Sequence, residues 1–280
     1  ELSEPVWQKA QKTTPFFLKY PNDKEKPGRQ TECRLAYDDK YLYVAFNCPD
    51  TSYALVQSLK RDIGNQDNDG VGISLDPMNL HSTGFIFFVN AYNAQSEDQI
   101  SPGLTDELKW NWNNKWFSAT QRYHDHWSAE MAIPFKTLRY PPGQKTWGVN
   151  FMRVDMKNNH YSVWTHVPVN FKSYDLGYTG TLDWDTLPPS PGQNIVMIPY
   201  ATGSGEQDTE NKSGFSGKAN AGLDAKITLN SSLNLDLTLN PDFSQVEVDK
   251  QVTNLTRFNL FFPERRSFFL ENADIIGEYG

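Results

Sequence analysis

Aromatic and amide side chains are interleaved in one short segment of the sequence. Trp110, Trp112 and Trp116 are separated by residues that include Asn113. A sugar ring stacks its C–H face on an aromatic plane, and an amide both donates hydrogen bonds to hydroxyls and accepts them. In an extended strand the three tryptophans would share one face. The segment therefore predicts a carbohydrate-binding platform. The alternative is that Trp112 and Trp116 pack in the core and leave Trp110 as the main stacking residue.

A second candidate platform centres on Trp164. Arg153 lies nearby in the sequence and could donate hydrogen bonds to a ligand, as a guanidinium carries five N–H donors. The alternative is that Trp164 packs in the core. The sequence leaves both interpretations open.

Carboxylates and amides cluster between residues 65 and 76. Their oxygens fall at the first, third, fifth and twelfth positions of an EF-hand loop, with glycine at the sixth. Residues 71–75, however, have the pattern of a strand, and the last acid is Asp rather than Glu, so an EF-hand is not predicted. Clustered carboxylates suit a hard cation, and we predict a calcium site of another geometry. The candidate ligands are Asp67, Asp69, Asp62 and Asp98, with Glu97 as a further partner. The alternative is that these are solvated turn charges.

Motifs of enzymatic catalysis are missing from the sequence. It contains no Gly-x-Ser-x-Gly elbow, no His-Glu-x-x-His and no phosphate-binding glycine loop. Glu97 and Asp98 form a carboxylate pair, but adjacent residues of a strand point to opposite faces. Glycosidases need two carboxyl groups about 5 to 9.5 Å apart across one cleft. We therefore predict that the protein is not an enzyme.

Composition narrows the class of protein further. The 280 residues are 38% hydrophobic and 14% aromatic, which is ample for a buried core. The formal net charge is -8, and no block of basic residues could follow a phosphate backbone, so nucleic acid is not an expected partner. The longest apolar run, residues 85–89, is far shorter than the roughly 20 residues of a spanning helix.

A change in composition divides the chain. All 8 Trp, all 5 His and both Cys occur at or before Trp184. The Pro-rich segment that follows favours an extended connector, because proline removes backbone donors. We predict a domain of residues 1–187, a linker of residues 188–192 and a strand region of residues 193–280.

The first domain has the pattern of an antiparallel sandwich. Short apolar and aromatic runs recur between turn signals, at residues 41–46, 71–75, 85–89, 127–135, 147–152 and 161–167. One short helix is predicted, over residues 4–11. An all-β fold, an antiparallel β-sandwich, is the simplest architecture that buries these strands. A two-residue hairpin loop would set Cys33 opposite Phe46 and diagonal to Cys48, which leaves either a disulfide or two buried small side chains.

Strict alternation begins after the linker. Apolar and polar residues alternate over residues 221–229 and 233–239, so each strand has one apolar and one polar face. A three-residue loop would pair Leu229 with Leu233 and Lys226 with Asp236. Such β-hairpin segments are typical of the start of a membrane β-barrel, and equally of a water-soluble sheet with one wet face.

Three stretches carry a family resemblance: AYDDKYLYVAF (36–46), DNDGVGISLD (67–76) and WSAEMAIPFKTL (127–138). In this order and spacing they resemble the family 9 carbohydrate-binding modules over roughly residues 4–170. The resemblance implies a β-sandwich that binds a sugar between two tryptophans. It also implies that a structural calcium ion is common.

The tail carries a second resemblance, in LNPDFSQVEVD (239–249), NLTRF (254–258) and FFPERRSFFLEN (261–272). These stretches resemble bacterial outer-membrane proteins that place such a module before a large β-barrel of uncharacterised function. The resemblance implies the Gram-negative outer membrane, commonly of Bacteroidota, with the sandwich periplasmic or surface-exposed.

Two functions follow from these patterns. The first is a non-catalytic module of an outer-membrane protein that recognises a glycan by aromatic stacking. The alternative is a docking or gating domain of a transport or assembly complex, with an envelope protein complex rather than a saccharide as its partner.

Overall fold

A computed structural model describes residues 4–62, 68–100, 108, 112, 114–190, 195–206, 216–230 and 233–240. Contacts within the chain divide it into two compact units, Glu1–Gly192 and Gln193–Gly280. The described part of the first unit contains one short helix, eleven strands and two 3-10 turns, and that of the second contains three strands. Among the described residues, no helix is long and apolar enough to cross a membrane.

The elements of the first unit follow one another in chain order. They are α1 (Pro5–Lys9), β1 (Phe17–Tyr20), β2 (Glu32–Tyr37), β3 (Tyr41–Pro49), β4 (Gly70–Asp76), β5 (Gly84–Asn90), β6 (Gln95–Ile100), β7 (Phe117–Arg122), β8 (His126–Pro134), β9 (Thr146–Asp155), β10 (His160–Val163) and β11 (Gly180–Asp183). The 3-10 turns are Phe135–Thr137 and Leu176–Tyr178. All six predicted strands are present, and the predicted helix is one turn shorter than its sequence pattern.

Two antiparallel sheets form the first unit. One has the order β1-β10-β9-β4-β5-β6, with β11 also paired to β9, and the other has the order β2-β3-β8-β7. Alternate residues of both sheets point into one apolar core, where Phe46 of β3 meets Phe151 of β9 edge to face at 6.1 Å between ring centroids. This is the predicted antiparallel sandwich arrangement.

The β2–β3 hairpin shows how a short sequence sets its own register. The Asp38 carboxylate accepts hydrogen bonds from the backbone N–H groups of Lys40 and Tyr41, each at 2.7 Å. This turn places Cys33 opposite Phe46, as predicted. Both Cys33 and Cys48 are buried free thiols, so the second of the two predicted states is the one observed.

The second unit is described as three strands, β12 (Ile195–Glu206), β13 (Ser216–Asn230) and β14 (Leu233–Leu239). They form a sheet of order β12-β13-β14. The predicted pairing of Lys226 with Asp236 is confirmed. The predicted pairing of Leu229 with Leu233 is wrong, because the register shifts between Thr228 and Asn230 and sets Asn230 opposite Leu233.

Candidate functional site

A cluster of polar side chains surrounds Arg61, between the start of β6 and the segment before β7. The Arg61 guanidinium donates to Gln95 Oε1 at 2.6 Å, to the Asn114 carbonyl at 3.3 Å and to the Glu97 carboxylate. Its Nε lies 3.4 Å from Asp62 Oδ2. We call Arg61, Asp62, Gln95, Glu97 and Asn114 the Arg61 cluster. The Arg61 side chain is still 42% exposed, so a ligand can reach it.

Glu97 is the buried anchor of the Arg61 cluster. Its side chain is fully buried, and strand β6 directs it toward Trp116. Oε2 accepts a hydrogen bond from the indole Nε1 of Trp116 at 2.9 Å, and Oε1 accepts from the backbone N–H of Asn114 at 3.1 Å. With Arg61, three donors therefore converge on one carboxylate. This network fixes the position of the guanidinium.

Asp62 is the strained member of the Arg61 cluster. Its backbone has φ 62°, a left-handed conformation that is uncommon for a residue other than glycine. Its Oδ1 is buried without a hydrogen-bond partner among the described residues. Burial and, to a smaller extent, the nearby Glu97 carboxylate raise the pKa of Asp62 to about 6. Strain, an unpaired acceptor and a raised pKa together are typical of a binding site.

The Arg61 cluster offers groups that could hydrogen-bond a polar ligand. Arg61 offers N–H donors, and the Asp62 side chain, which is 22% exposed, offers a carboxylate acceptor. A sugar hydroxyl both donates and accepts, so it matches this mixture of groups.

Two of the tryptophans of the first predicted platform are buried in the structure. Trp112 is only 6% exposed and packs on Phe85 and Phe87, with centroid distances of 5.0 and 6.0 Å. Trp116 is also buried, against Phe87 at 5.4 Å. The structure therefore corrects the expectation that Trp112 stacks on a sugar, because its ring lies in the core. Trp110 and Asn113 lie outside the described residues and stay predictions.

Trp164 and Arg153, the residues of the second predicted platform, also contact other residues of the sandwich. Trp164 is partly buried, with its ring 5.4 Å from Phe151 and its indole N–H donating to Thr14 Oγ1 at 2.9 Å. Arg153 is buried and donates to the Thr31 hydroxyl and the Pro49 carbonyl. The structure places Arg153 inside the sandwich and not on a surface that a saccharide could reach, which corrects its predicted role.

The predicted calcium ligands do not come together as one set. Both carboxylate oxygens of Asp69 accept backbone hydrogen bonds, from Met156 and Leu55, each at 2.7 Å. Asp62 belongs to the Arg61 cluster, whereas the buried Asp98 accepts from the backbone of Gln99. Among the described residues, no group of three or more His, Cys, Asp or Glu side chains is placed to hold a metal ion. Asp67 lies outside the described residues.

A second charged network lies between the end of β3 and the end of β9. The Asp50 carboxylate contacts Lys157 Nζ and Arg29 Nη1, each at 2.5 Å, and accepts two hydrogen bonds from Ser52. Lys157 Nζ also lies 3.4 Å from Asp69. We call Arg29, Asp50, Asp69 and Lys157 the Asp50 network. Asp50 and Asp69 are both almost completely buried. Their ion pairs link the chain segments that carry Arg29, Asp50, Asp69 and Lys157.

The described part of the first unit is an antiparallel β-sandwich. Residues 1–172 match the carbohydrate family 9 binding domain-like family, and residues 191–278 match a domain of unknown function, DUF5916. The first match covers more than half of the chain, which therefore belongs to the carbohydrate family 9 binding domain-like family. No curated protein matches the chain.

Several solved structures are similar to this chain. A putative carbohydrate-binding protein from Bacteroides uniformis is similar with a TM-score of 0.52 and 11% identity, over 63% of this chain and 87% of that chain. A family 9 carbohydrate-binding module from Caldicellulosiruptor kristjanssonii in complex with cellotriose has a TM-score of 0.45 and 15% identity, over 64% of this chain and 85% of that one. The same module in complex with glucose also has a TM-score of 0.45, with 14% identity, over 66% and 92%.

Proposed function

We propose that the sandwich is a non-catalytic module that binds a saccharide at the Arg61 cluster. The observation that carries this proposal is the Arg61 guanidinium beside the Asp62 carboxylate, with the first side chain 42% and the second 22% exposed. Membership of the carbohydrate family 9 binding domain-like family supports a saccharide over other polar ligands. Trp110, which precedes Asn114 in the sequence, stays the predicted stacking residue.

The test is a glycan array followed by calorimetry on the full chain. We expect saturable binding, and we expect Arg61→Ala to weaken it at least about tenfold, because a hydrogen bond from a charged group contributes about 1.5–3 kcal/mol. Trp110→Ala should weaken binding as well. Lys60→Ala is the matched control, because it removes an exposed positive charge next to Arg61 and should leave affinity unchanged.

Two other outcomes would change the proposal. A folded chain that binds nothing on the array would contradict saccharide binding and favour a docking domain of an envelope complex. The same titrations in calcium and in chelator test the predicted ion. Affinity lost in chelator would support a bound calcium ion, and equal affinity would contradict it.

We propose further that the second unit associates with the bacterial outer membrane. One face of its sheet is apolar across all three strands. Its exposed members are Ile195, Met197, Leu235, Leu237 and Leu239, which are 40–66% exposed. Ile195 to Ala201 extend about 20 Å at about 3.3 Å per residue, close to the apolar band of about 25 Å in membrane β-proteins.

The opposite face of this sheet carries polar side chains, and hydrogen bonds within the sheet are described there. Thr238 donates to Asp224 at 2.7 Å, and the Asn240 amide donates to the Ala221 carbonyl at 2.7 Å. Among the described residues, β12 and β14 each pair on one side only, so the sheet can accept further strands. An apolar face and a polar face on the same sheet support lipid contact.

Vesicle flotation of the full chain tests this membrane association. We expect Leu237→Arg to lower the fraction bound to phosphatidylglycerol-containing vesicles at least about tenfold, because Arg on a lipid-facing strand costs about 2–4 kcal/mol near the bilayer midplane. Thr202→Arg places the same charge on the polar face and should not change binding. Wild-type chain that stays in the aqueous fraction would contradict the proposal.

A further inference from the structure

Strand β7 lies at the edge of the sheet β2-β3-β8-β7. Within the described part of the chain it pairs only with β8, in one unbroken antiparallel register from Phe117 to Arg122. The other side of its backbone faces no strand of the described residues. An open row of backbone N–H and C=O groups is a template on which another strand can pair.

The hairpin between β7 and β8 shows which backbone groups are open. The Tyr123 N–H donates to the His126 carbonyl at 2.8 Å, so this opposed pair is hydrogen-bonded. Because bonded and non-bonded pairs alternate along an antiparallel ladder, every second residue counted back from Tyr123 bonds to β8. The residues between them direct their backbone groups away from β8: Ser118, Thr120 and Arg122. The Arg122 carbonyl accordingly accepts from the Gln121 side chain, at 3.2 Å.

The edges at β1 and β2 are covered. Next to β1, the Gln30 side chain accepts from the Phe16 N–H at 2.9 Å and donates to the Phe16 carbonyl at 3.4 Å. The pairing of β1 is also irregular after Leu18. Along β2, the Thr13 N–H donates to the Cys33 carbonyl at 3.0 Å. Bulges and covering segments are among the means by which proteins prevent pairing at sheet edges.

Strand β7 differs from the remaining edges of the first unit. At the edge of β6 the Gln95 carbonyl accepts from the Asp62 N–H at 3.0 Å, and β11 has only four residues. Strand β7 has six residues in regular pairing, it is uncharged up to Arg122 at its end, and each of its residues is at least partly exposed. A regular, uncharged and exposed edge strand is the type that pairs with another chain.

The open residues of β7 are complementary to themselves. Two antiparallel copies of β7 can set Thr120 of one copy opposite Thr120 of the other. Ser118 of each copy then lies opposite Arg122 of the second copy, so all of the open residues meet open residues. Opposed residues of this kind exchange both of their backbone bonds, which gives about six hydrogen bonds across the interface. A pair of threonines is a favourable cross-strand neighbour.

The side chains between the open residues also fit this register. Phe117, which is 47% exposed, lies opposite Tyr123 of the second copy, and an aromatic pair stabilises neighbouring strands. Lys115 Nζ lies 5.6 Å from the centre of the Phe117 ring. The register brings this ammonium to the turn of the second copy that carries Asp125, whose side chain is 73% exposed. Opposite charges at both ends of the paired strands favour this arrangement.

We infer that β7 is a homodimer interface, at which two copies of the chain pair their β7 strands antiparallel about Thr120. The two four-stranded sheets then form one continuous sheet. The inference uses neither the saccharide site nor the membrane association. Two six-residue strands form a small interface compared with the roughly 1,200–2,000 Å² of stable complexes, so the dimer is weak. We expect a dissociation constant above about 1 µM.

Sedimentation velocity of the full chain tests dimerisation, from about 1 µM to about 300 µM. A non-ionic detergent covers the apolar face of the second unit during the measurement. We expect the wild-type chain to shift from monomer to dimer with concentration. Thr120→Pro should weaken association at least about tenfold, because it removes an open N–H and leaves the bonds to β8 in place. Thr120→Val is the matched control, which keeps that N–H and should still dimerise.

Disulfide cross-linking tests the register. Cys33 and Cys48 are buried, so an added thiol on β7 is the accessible one. Thr120→Cys should form a linked dimer with oxidised glutathione, because opposed Cα atoms lie about 5.5 Å apart. The two thiols give two electrons and two protons to oxidised glutathione, which becomes two reduced molecules. Ser118→Cys is the control, because its two copies lie about 13 Å apart in this register and should not link.

The outcomes separate β7 from other surfaces. A chain that stays monomeric at every concentration overturns the inference and leaves a strand of a different protein as the candidate partner. Association that persists in Thr120→Pro but is lost in Leu237→Arg assigns it to the apolar face of the second unit, which also overturns the inference. Equal cross-linking of Ser118→Cys and Thr120→Cys contradicts the register. Melting temperatures verify that each variant is folded.

Discussion

The Asp50→Ala variant is expected to lose about 3–5 kcal/mol of the free energy of unfolding, the usual cost of removing one partner from a buried ion pair. Asp50 holds Lys157 and Arg29 at 2.5 Å each. Its removal leaves the ammonium of Lys157, which is only 13% exposed, with Asp69 at 3.4 Å as its remaining carboxylate partner in this network. Urea unfolding followed by tryptophan fluorescence measures the loss.

The loss in the free energy of unfolding caused by Asp50→Ala should depend on pH. Burial opposes ionisation of Asp50, but hydrogen bonds from Lys157 and Ser52 outweigh it and lower the pKa from 3.8 to about 2. A carboxyl group with a lowered folded pKa stabilises the protein above its unfolded pKa, and this stabilisation is lost as the pH falls. The difference between wild type and Asp50→Ala should therefore shrink between about pH 4 and pH 2.

Asp39→Ala is the matched control for this prediction. Asp39 is an exposed aspartate in the β2–β3 turn, and replacing it should change the free energy of unfolding by less than about 0.5 kcal/mol. A loss below about 1 kcal/mol for Asp50→Ala, or a difference from wild type that does not vary between pH 4 and pH 2, would contradict the assigned role of Asp50.

The strands were predictable because their signal is local. Runs of apolar and aromatic residues between turn residues predicted six strands, and each of them is present in the structure. The turn at Asp38 places Cys33 opposite Phe46, as the length of the turn predicted. The pairing near the end of β13 was not predictable in the same way. The bulge between Thr228 and Asn230 inserts a residue, and strict alternation of side chains carries no mark of that insertion.

The candidate site was only partly predictable, because its members come from distant parts of the chain. Asp62 and Glu97 were among the acids singled out from the sequence, and calcium was their predicted partner. The structure supplies a cation from the chain itself, the Arg61 guanidinium beside Asp62 and Glu97. Arg61 is adjacent to Asp62 in the sequence, and that adjacency was the one signal that could have indicated an internal partner.

The tryptophans show a second limit of sequence reasoning. Spacing placed Trp112 and Trp116 on one face, and the structure does bury both against Phe87. Spacing cannot distinguish a core face from a solvent face where the neighbouring residues are polar on both sides. The Glu97 carboxylate that receives the Trp116 indole N–H lies on β6, and only the fold brings the two together.

The Glu97→Gln variant tests whether this buried carboxylate positions Arg61. Oε1 of Glu97 accepts from Arg61 and Asn114, and Oε2 accepts from Trp116. Glutamine keeps the shape but replaces one acceptor oxygen with an NH2 group, so one donor faces another donor. We expect a loss of about 1.5–3 kcal/mol in the free energy of unfolding, the contribution of hydrogen bonds to a charged group.

Saccharide affinity should fall at least about tenfold in Glu97→Gln, because the guanidinium is no longer held toward the ligand. Glu32→Gln is the matched control: it makes the same chemical change at a solvent-accessible ion pair with Lys12 and should cost less than about 1 kcal/mol. A stable Glu97→Gln protein with unchanged affinity would show that Arg61 is held by its other contacts, with Gln95 and the Asn114 carbonyl. Lost stability with unchanged affinity would restrict Glu97 to a structural role, since only the positioning role requires that both quantities fall together.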